Sequence, residues 1–168
     1  MRLRLLVILC ILFALPATAK ELTISVEIPR INVAEYHRPY TAFWIEHEGK
    51  VTNLAVWYDL EMEDAKGEEW LKDMRQWWRR SGRSLDMPVD GVSGATRAPG
   101  KHTLAFTDGE APLGKLTAGE YTLIVEASRE VGGREVLKIP FQWPPTQQQV
   151  LNAQGENELG TLSLTLTP

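Results

Sequence analysis

Leu22, Ile24, Val26 and Ile28 alternate with Thr23, Ser25 and Glu27, and near the other end of the chain Leu162, Leu164 and Leu166 alternate with Thr161, Ser163, Thr165 and Thr167. A two-residue period places every apolar side chain on one face of a strand, so each segment must bury that face. Further β-rich runs cover 40–46 and 53–59, joined around Glu48-Gly49-Lys50 as a hairpin. Their apolar residues (Phe43, Trp44, Ile45, then Leu54, Val56, Trp57, Tyr58) fall on both faces, as in a central strand or one covered by a helix. Strand patterning returns at 101–107, at Tyr121, Leu123, Val125 and Ala127, and at 135–143, with Gly132-Gly133 read as a tight turn using positive φ. The polar, Gln-rich stretch 146–158 reads as a mobile loop.

Residues 66–81 break this rhythm. Trp70, Leu71, Met74, Trp77 and Trp78 form a 3.6-residue stripe, with Glu68 and Glu69 opening the segment and Arg79 and Arg80 closing it. The spacing predicts one amphipathic helix that Gly82 ends in the left-handed conformation, with Trp70 and one of Trp77 and Trp78 in the core. About seven strands with a single helix, and no βαβ alternation, predict a mainly β chain. The expected architecture is an antiparallel immunoglobulin-like β-sandwich with one inserted helix.

The first nineteen residues read differently. Arg2 and Arg4 make a short basic start, 5–15 is apolar, and Ala17-Thr18-Ala19 is a small-residue cleavage site. That is the pattern of a secretory signal peptide over 1–19, leaving a single domain over 20–168 in the periplasm. The apolar run is shorter than the roughly 20 residues of a spanning helix. The only cysteine, Cys10, lies inside that run, so the mature chain can form neither a disulfide nor a thiolate site. Removing Arg2 and Arg4 from the 18 basic residues leaves them against 22 acidic ones. This acidic balance carries no electrostatic footprint for nucleic acid.

The stretch Val89-Asp90-Gly91-Val92-Ser93-Gly94-Ala95-Thr96-Arg97-Ala98-Pro99-Gly100 is the most informative for chemistry. As bare sequence it is a loop whose glycines permit unusual dihedrals and close backbone approach. It is not a P-loop: Gly94 and Gly100-Lys101 are wrongly spaced, and His102 stands where a hydroxyl should be. Gly91-Val92-Ser93-Gly94 is likewise not a nucleophile elbow.

Asp90-Gly91-Val92-Ser93-Gly94-Ala95-Thr96 does resemble the Asp-x-x-Ser/Thr-Gly-Ala-Thr acceptor motif of proteins that carry covalent FMN. These include the flavin subunits of sodium-pumping quinone reductases and Rnf-type complexes. The resemblance implies that an extracytoplasmic flavin transferase joins the phosphate of FMN to the Thr96 hydroxyl, recognising Asp90, Ser93, Gly94 and Ala95. In those subunits a second hydroxyl residue usually follows two positions later, where this chain has Ala98. The mature chain, with Arg38-Pro39-Tyr40, the Trp-rich segment, Arg79-Arg80-Ser81-Gly82 and the 90–100 loop, also resembles the periplasmic family known as domain of unknown function 2271. Members of that family are linked to the same motif, often near membrane PepSY-type flavoproteins.

A threonine hydroxyl is a weak nucleophile, so an external catalyst suits an acceptor that encodes no base of its own. Arg97, with Arg79, Arg80 and Arg83, is a candidate partner for the ester phosphate, since guanidinium matches phosphate geometry. The Arg79 and Arg80 pair also serves as charge complement to a helix C-terminus. Trp77 and Trp78 are candidates for a platform under the isoalloxazine ring. His37, His47 and His102 lack metal-ligand spacing. The expected function is that of a periplasmic electron-transfer flavoprotein, a carrier without a turnover site. The alternative from a different class is a β-sandwich binding module without cofactor.

Overall fold

The computed structural model describes residues 19–168; the expected signal peptide lies outside them apart from Ala19. Nine strands form two sheets: β1 (Glu21–Ile28), β2 (Tyr40–His47), β3 (Lys50–Tyr58), β4 (Ser93–Ala95), β5 (Gly100–Thr107), β6 (Gly119–Ser128), β7 (Arg134–Trp143), β8 (Gln149–Gln154) and β9 (Thr161–Thr167). The four-stranded sheet has the order β5-β1-β9-β8 and the five-stranded sheet β4-β3-β2-β6-β7. Neighbours pair antiparallel except β4, which runs parallel to β3 at the sheet edge. The glycine-rich loop thus contains a short strand.

The period-two face of β1 meets that of β9, with Leu22 opposite Leu166, Ile24 opposite Leu164 and Val26 opposite Leu162. These residues share one core with Phe43, Ile45, Trp57, Leu123 and Val125 of the other sheet. Strands β2 and β3 are buried on both faces because a second cluster covers the outer side of the five-stranded sheet. There Ala42, Trp44, Val56, Tyr58 and Ile124 pack against Leu71, Met74 and Trp77. A β-bulge between Phe43 and Trp44 shifts the β2–β3 register.

The covering segment departs from the single helix that its periodicity predicts. Glu63–Asp73 winds as 3-10 turns, α1 (Arg75–Arg80) is a six-residue α-helix, and Gly82–Ser84 is a further 3-10 turn. Asp64 and Ala65 adopt φ of 55°, a left-handed geometry rare outside glycine, which breaks the first winding. Gly67 is buried where a Cβ would collide with the Asp59 carbonyl. With this winding Leu71, Met74 and Trp77 are buried, whereas Trp70 is 44% exposed. The expectation of a core Trp70 is therefore corrected; Trp77 is the buried member of the later pair.

Two glycine readings change as well. Gly82 does not use positive φ; its Cβ would fall 2.6 Å from the Trp77 ring, so the missing side chain makes room for that indole. In the 129–133 turn the positive φ of 52° belongs to Val131. Gly132 and Gly133 instead leave space for the side chains of Arg129 and Glu158. Finally, 146–158 is not a plain loop, since β8 pairs with β9 from Gln149 to Gln154.

Candidate functional site

The 89–96 segment is built from the turn outward. The amides of Val92 and Ser93 donate to the Val89 carbonyl at 3.1 and 2.8 Å. The Ser93 hydroxyl in turn accepts from the Val89 amide at 2.9 Å. Gly91 takes φ of 70° and Asp90 is exposed beside it. Ser93 is therefore occupied in closing a turn, a role that a small hydroxyl residue fills well.

From there the chain enters β4. Ser93, Gly94 and Ala95 register against Val56, Trp57 and Tyr58. The Val56 amide donates to Val92 O at 2.8 Å, and the Thr96 amide donates to Tyr58 O at 3.2 Å. A Cβ on Gly94 would lie 3.2 Å from Trp57, so glycine lets the strand settle against that indole. β4 is an edge strand, and among the described residues no further strand pairs with its outer side. Edge backbone is a template on which another chain can pair.

Thr96, half-buried, leaves this strand and lines a cavity of about 520 Å³ together with Ala95. Its walls include Arg38, Tyr40, Tyr58, Leu60, Met62 and Trp70. The volume lies within the roughly 300–1,000 Å³ of small-molecule sites. Leu60, Met62 and Trp70 are 40%, 37% and 44% exposed, so apolar surface rims the space into which Thr96 opens. Tyr40 and Tyr58 meet edge-to-face at 6.2 Å. Burial pushes both phenols above their ordinary pKa, which keeps them protonated. Tyr36, which borders the cavity, carries a buried hydroxyl without a hydrogen-bond partner among the described residues. Asp59, Glu61, Asp73 and Glu130 add carboxylates to the lining, against His37 and Arg38 on the basic side.

Of the six residues singled out from sequence, the structure puts Ala95 and Thr96 at the cavity and leaves Asp90, Ser93 and Gly94 in the turn and strand that lead to it. Arg97 stands apart, with its guanidinium 5.2 Å from the centroid of the Trp57 ring. Beyond it His102 meets Trp57 edge-on and hydrogen-bonds Ala98 O at 2.7 Å. Arg80 is engaged by Glu46 at 2.9 and 3.0 Å, and Arg79 donates to the Arg75 carbonyl. The arginine that shares the cavity with Thr96 is Arg38, which forms no ion pair among the described residues. Sequence reasoning passed over it as a site residue, although Arg38-Pro39-Tyr40 stands at the start of β2. The aromatic wall comes from Tyr40, Tyr58 and Trp70 rather than from Trp77 and Trp78.

Among the described residues no group of three or more His, Cys, Asp or Glu converges as a metal site. No helix among them is long and apolar enough to cross a membrane.

The fold and the site define a two-sheet β protein with a threonine-bearing edge strand beside an aromatic cavity. The chain belongs to the family described as predicted periplasmic protein (DUF2271), whose match covers residues 21–161. No curated protein and no solved structure matches the chain.

Proposed function

We propose that this chain is a periplasmic electron-transfer flavoprotein with FMN attached through a phosphoester to Thr96. On this reading residues 1–19 are a cleavable export signal and 20–168 a single immunoglobulin-like sandwich. The observation that carries it is positional: the hydroxyl residue at the acceptor position of the Asp90–Thr96 motif directly follows an edge strand and lines a cavity of cofactor size. The other hydroxyl of the motif, on Ser93, is committed to its turn.

Attachment needs an activated donor, and a flavin dinucleotide supplies one. The Thr96 Oγ bonds to the phosphorus that bears the flavin, and the pyrophosphate P–O bond breaks. A nucleoside monophosphate departs, and the threonine proton passes to a base of the extracytoplasmic flavin transferase. The edge strand and Gly94 let the segment enter that enzyme's cleft. The residues that would hold the group are Arg38 for the ester phosphate, Tyr40, Tyr58 and Trp70 for an aromatic body, and the unpartnered Tyr36 hydroxyl for its polar edge, with the lining carboxylates Asp59, Glu61, Asp73 and Glu130 left toward solvent or the ring's N–H edge. FMN supplies one- and two-electron chemistry, while the chain supplies location and electrostatics for exchange with a membrane-bound partner of the PepSY type.

The test is co-expression with a flavin transferase followed by denaturing gel fluorescence and peptide mass analysis. Thr96→Val keeps the β-branched shape and should abolish attachment; Thr96→Ser should retain part of it, and Ser93→Ala should weaken transfer without moving the site. A flavin peptide that persists in Thr96→Val, or maps to Ser93, refutes the assignment.

A further inference from the structure

The segment that carries Trp70 is held in an unusual way. It leaves β3 through two left-handed residues, Asp64 and Ala65, and is pinned at Gly67, where the backbone comes too close to Asp59 for any side chain. Leu71 and Met74 then anchor it in the outer core. The result is a fixed strap that displays Trp70 at the cavity instead of burying it. A large indole left 44% exposed beside Leu60 and Met62 forgoes part of the stabilisation that full burial would yield. Clustered apolar exposure around a concave surface marks a binding site. Of the exposed large hydrophobic residues, the three that line this cavity come from one short stretch, 60–70, and stand with Thr96 around the same space.

We propose that this cavity is the docking place of the flavin ring tethered at Thr96, with Trp70 as its stacking partner, so that the cofactor rests against the protein and not free in solvent. The proposal builds on the reading of Thr96 as the attachment point. The ring is planar, apolar on its faces and polar at one edge. Trp70, Leu60 and Met62 offer the face contacts, and Tyr40 and Tyr58 line the same space. Arg38 lines the same cavity and suits the phosphate of the tether, beside the carboxylates Asp59, Glu61, Asp73 and Glu130. Trp77, whose indole is fully buried and hydrogen-bonded to Asn53 at 2.8 Å, is not available for this role.

Stacking on an indole quenches flavin fluorescence, which gives a readout separate from attachment. The holoprotein, made with a flavin transferase, is measured native and then in denaturant, with flavin content fixed by intact mass. The expected result is native fluorescence severalfold below the denatured value per flavin. Trp70→Ala should brighten the native state severalfold per flavin; Trp70→Tyr, which keeps an electron-rich ring, should restore most of the quenching, and Trp70→Phe, whose ring is not an electron donor to the flavin, should not. Thermal unfolding of the apo variants checks that the exposed residue can be changed without loss of the fold. Equal brightness of native and denatured wild type overturns the docking proposal while leaving attachment standing. Unaltered quenching in Trp70→Ala overturns Trp70 as the stacking partner. A chain without flavin mass overturns the attachment reading, and the docking proposal with it.

Discussion

A methyl group on Gly82 would sit 2.6 Å from the ring of Trp77, which is fully buried, so neither partner can yield. Gly82→Ala should therefore cost about 1–3 kcal/mol, the range for overpacking a tight core. Trp77→Ala should cost about 3–5 kcal/mol by removing a large buried aromatic. Trp70→Ala, at a position 44% exposed, should cost about 1–2 kcal/mol, because part of the indole is still covered. Urea denaturation of the three variants checks the order, and a Trp70 cost as large as that of Trp77 would contradict the placement. The sequence could not separate these two tryptophans, because both lie on one 3.6-residue stripe. What separates them is the 3-10 winding of 63–73, imposed by the contact of Gly67 with Asp59 and by the left-handed pair before it. Those are tertiary facts with no local periodic trace.

At the scale of elements, two carboxylates hold segments that have little stability of their own. The six-residue α1 is too short to persist alone. The fully buried Glu126 of β6 accepts from the amides of Gln76 and Trp77 at 3.1 and 2.7 Å, capping it from the sheet face on which it packs. Glu135 of β7 does the same for the turn between β8 and β9, accepting from Glu156, Asn157 and Leu159 at 2.7, 3.1 and 2.9 Å. This clasp is why the polar stretch expected to be a mobile loop is an ordered hairpin. Its composition reads as a loop, and its partner lies 21 or more positions earlier. Burial would raise the Glu135 pKa, but the backbone donors outweigh it and hold the carboxyl below its ordinary value. A depressed folded pKa contributes stability that is complete above the ordinary glutamate value, about 4.3, and is lost as pH falls through the folded value. Glu135→Gln should lower stability near neutral pH by about 1.5–3 kcal/mol, the range for hydrogen bonds to a charged group. It should also flatten the acid limb of the stability curve. Urea midpoints across that pH range test it, and an unchanged slope would show that the clasp does not titrate.

For the molecule as a whole, the two sheets are tied at one end by a buried ion pair. Arg129, just after β6, meets Glu158, just before β9, through two bonds of 2.8 and 3.0 Å, both side chains being nearly inaccessible. Gly132 and Gly133 make room for it, and the Gly133 amide adds a third bond to Glu158 at 2.8 Å. The glycine pair was legible as a turn, but its reason was not, since the two charges come together only in the folded chain. Glu158→Gln leaves Arg129 buried without its counter-charge and should cost about 3–5 kcal/mol, read as a loss in denaturant midpoint. A change under about 1 kcal/mol would show the pair to be hydrated. The mainly β class followed from alternation at the two ends of the chain, and the double burial of β2 and β3 from their unbroken apolar runs. The site was only half legible. Residues 90–96 announced themselves as a motif, whereas Arg38, Tyr40, Tyr58 and Trp70 reach the same cavity from three separate stretches of chain.

We propose that the molecule holds a flavin at Thr96, and one intact mass tests this directly. The full-length gene is expressed with a flavin transferase, and the product is purified from the periplasm. The predicted mass is that of residues 20–168 plus one FMN less one water, with the increment absent from Thr96→Val. A mature chain of unmodified mass, in cells where a known acceptor is flavinylated in parallel, would contradict the account.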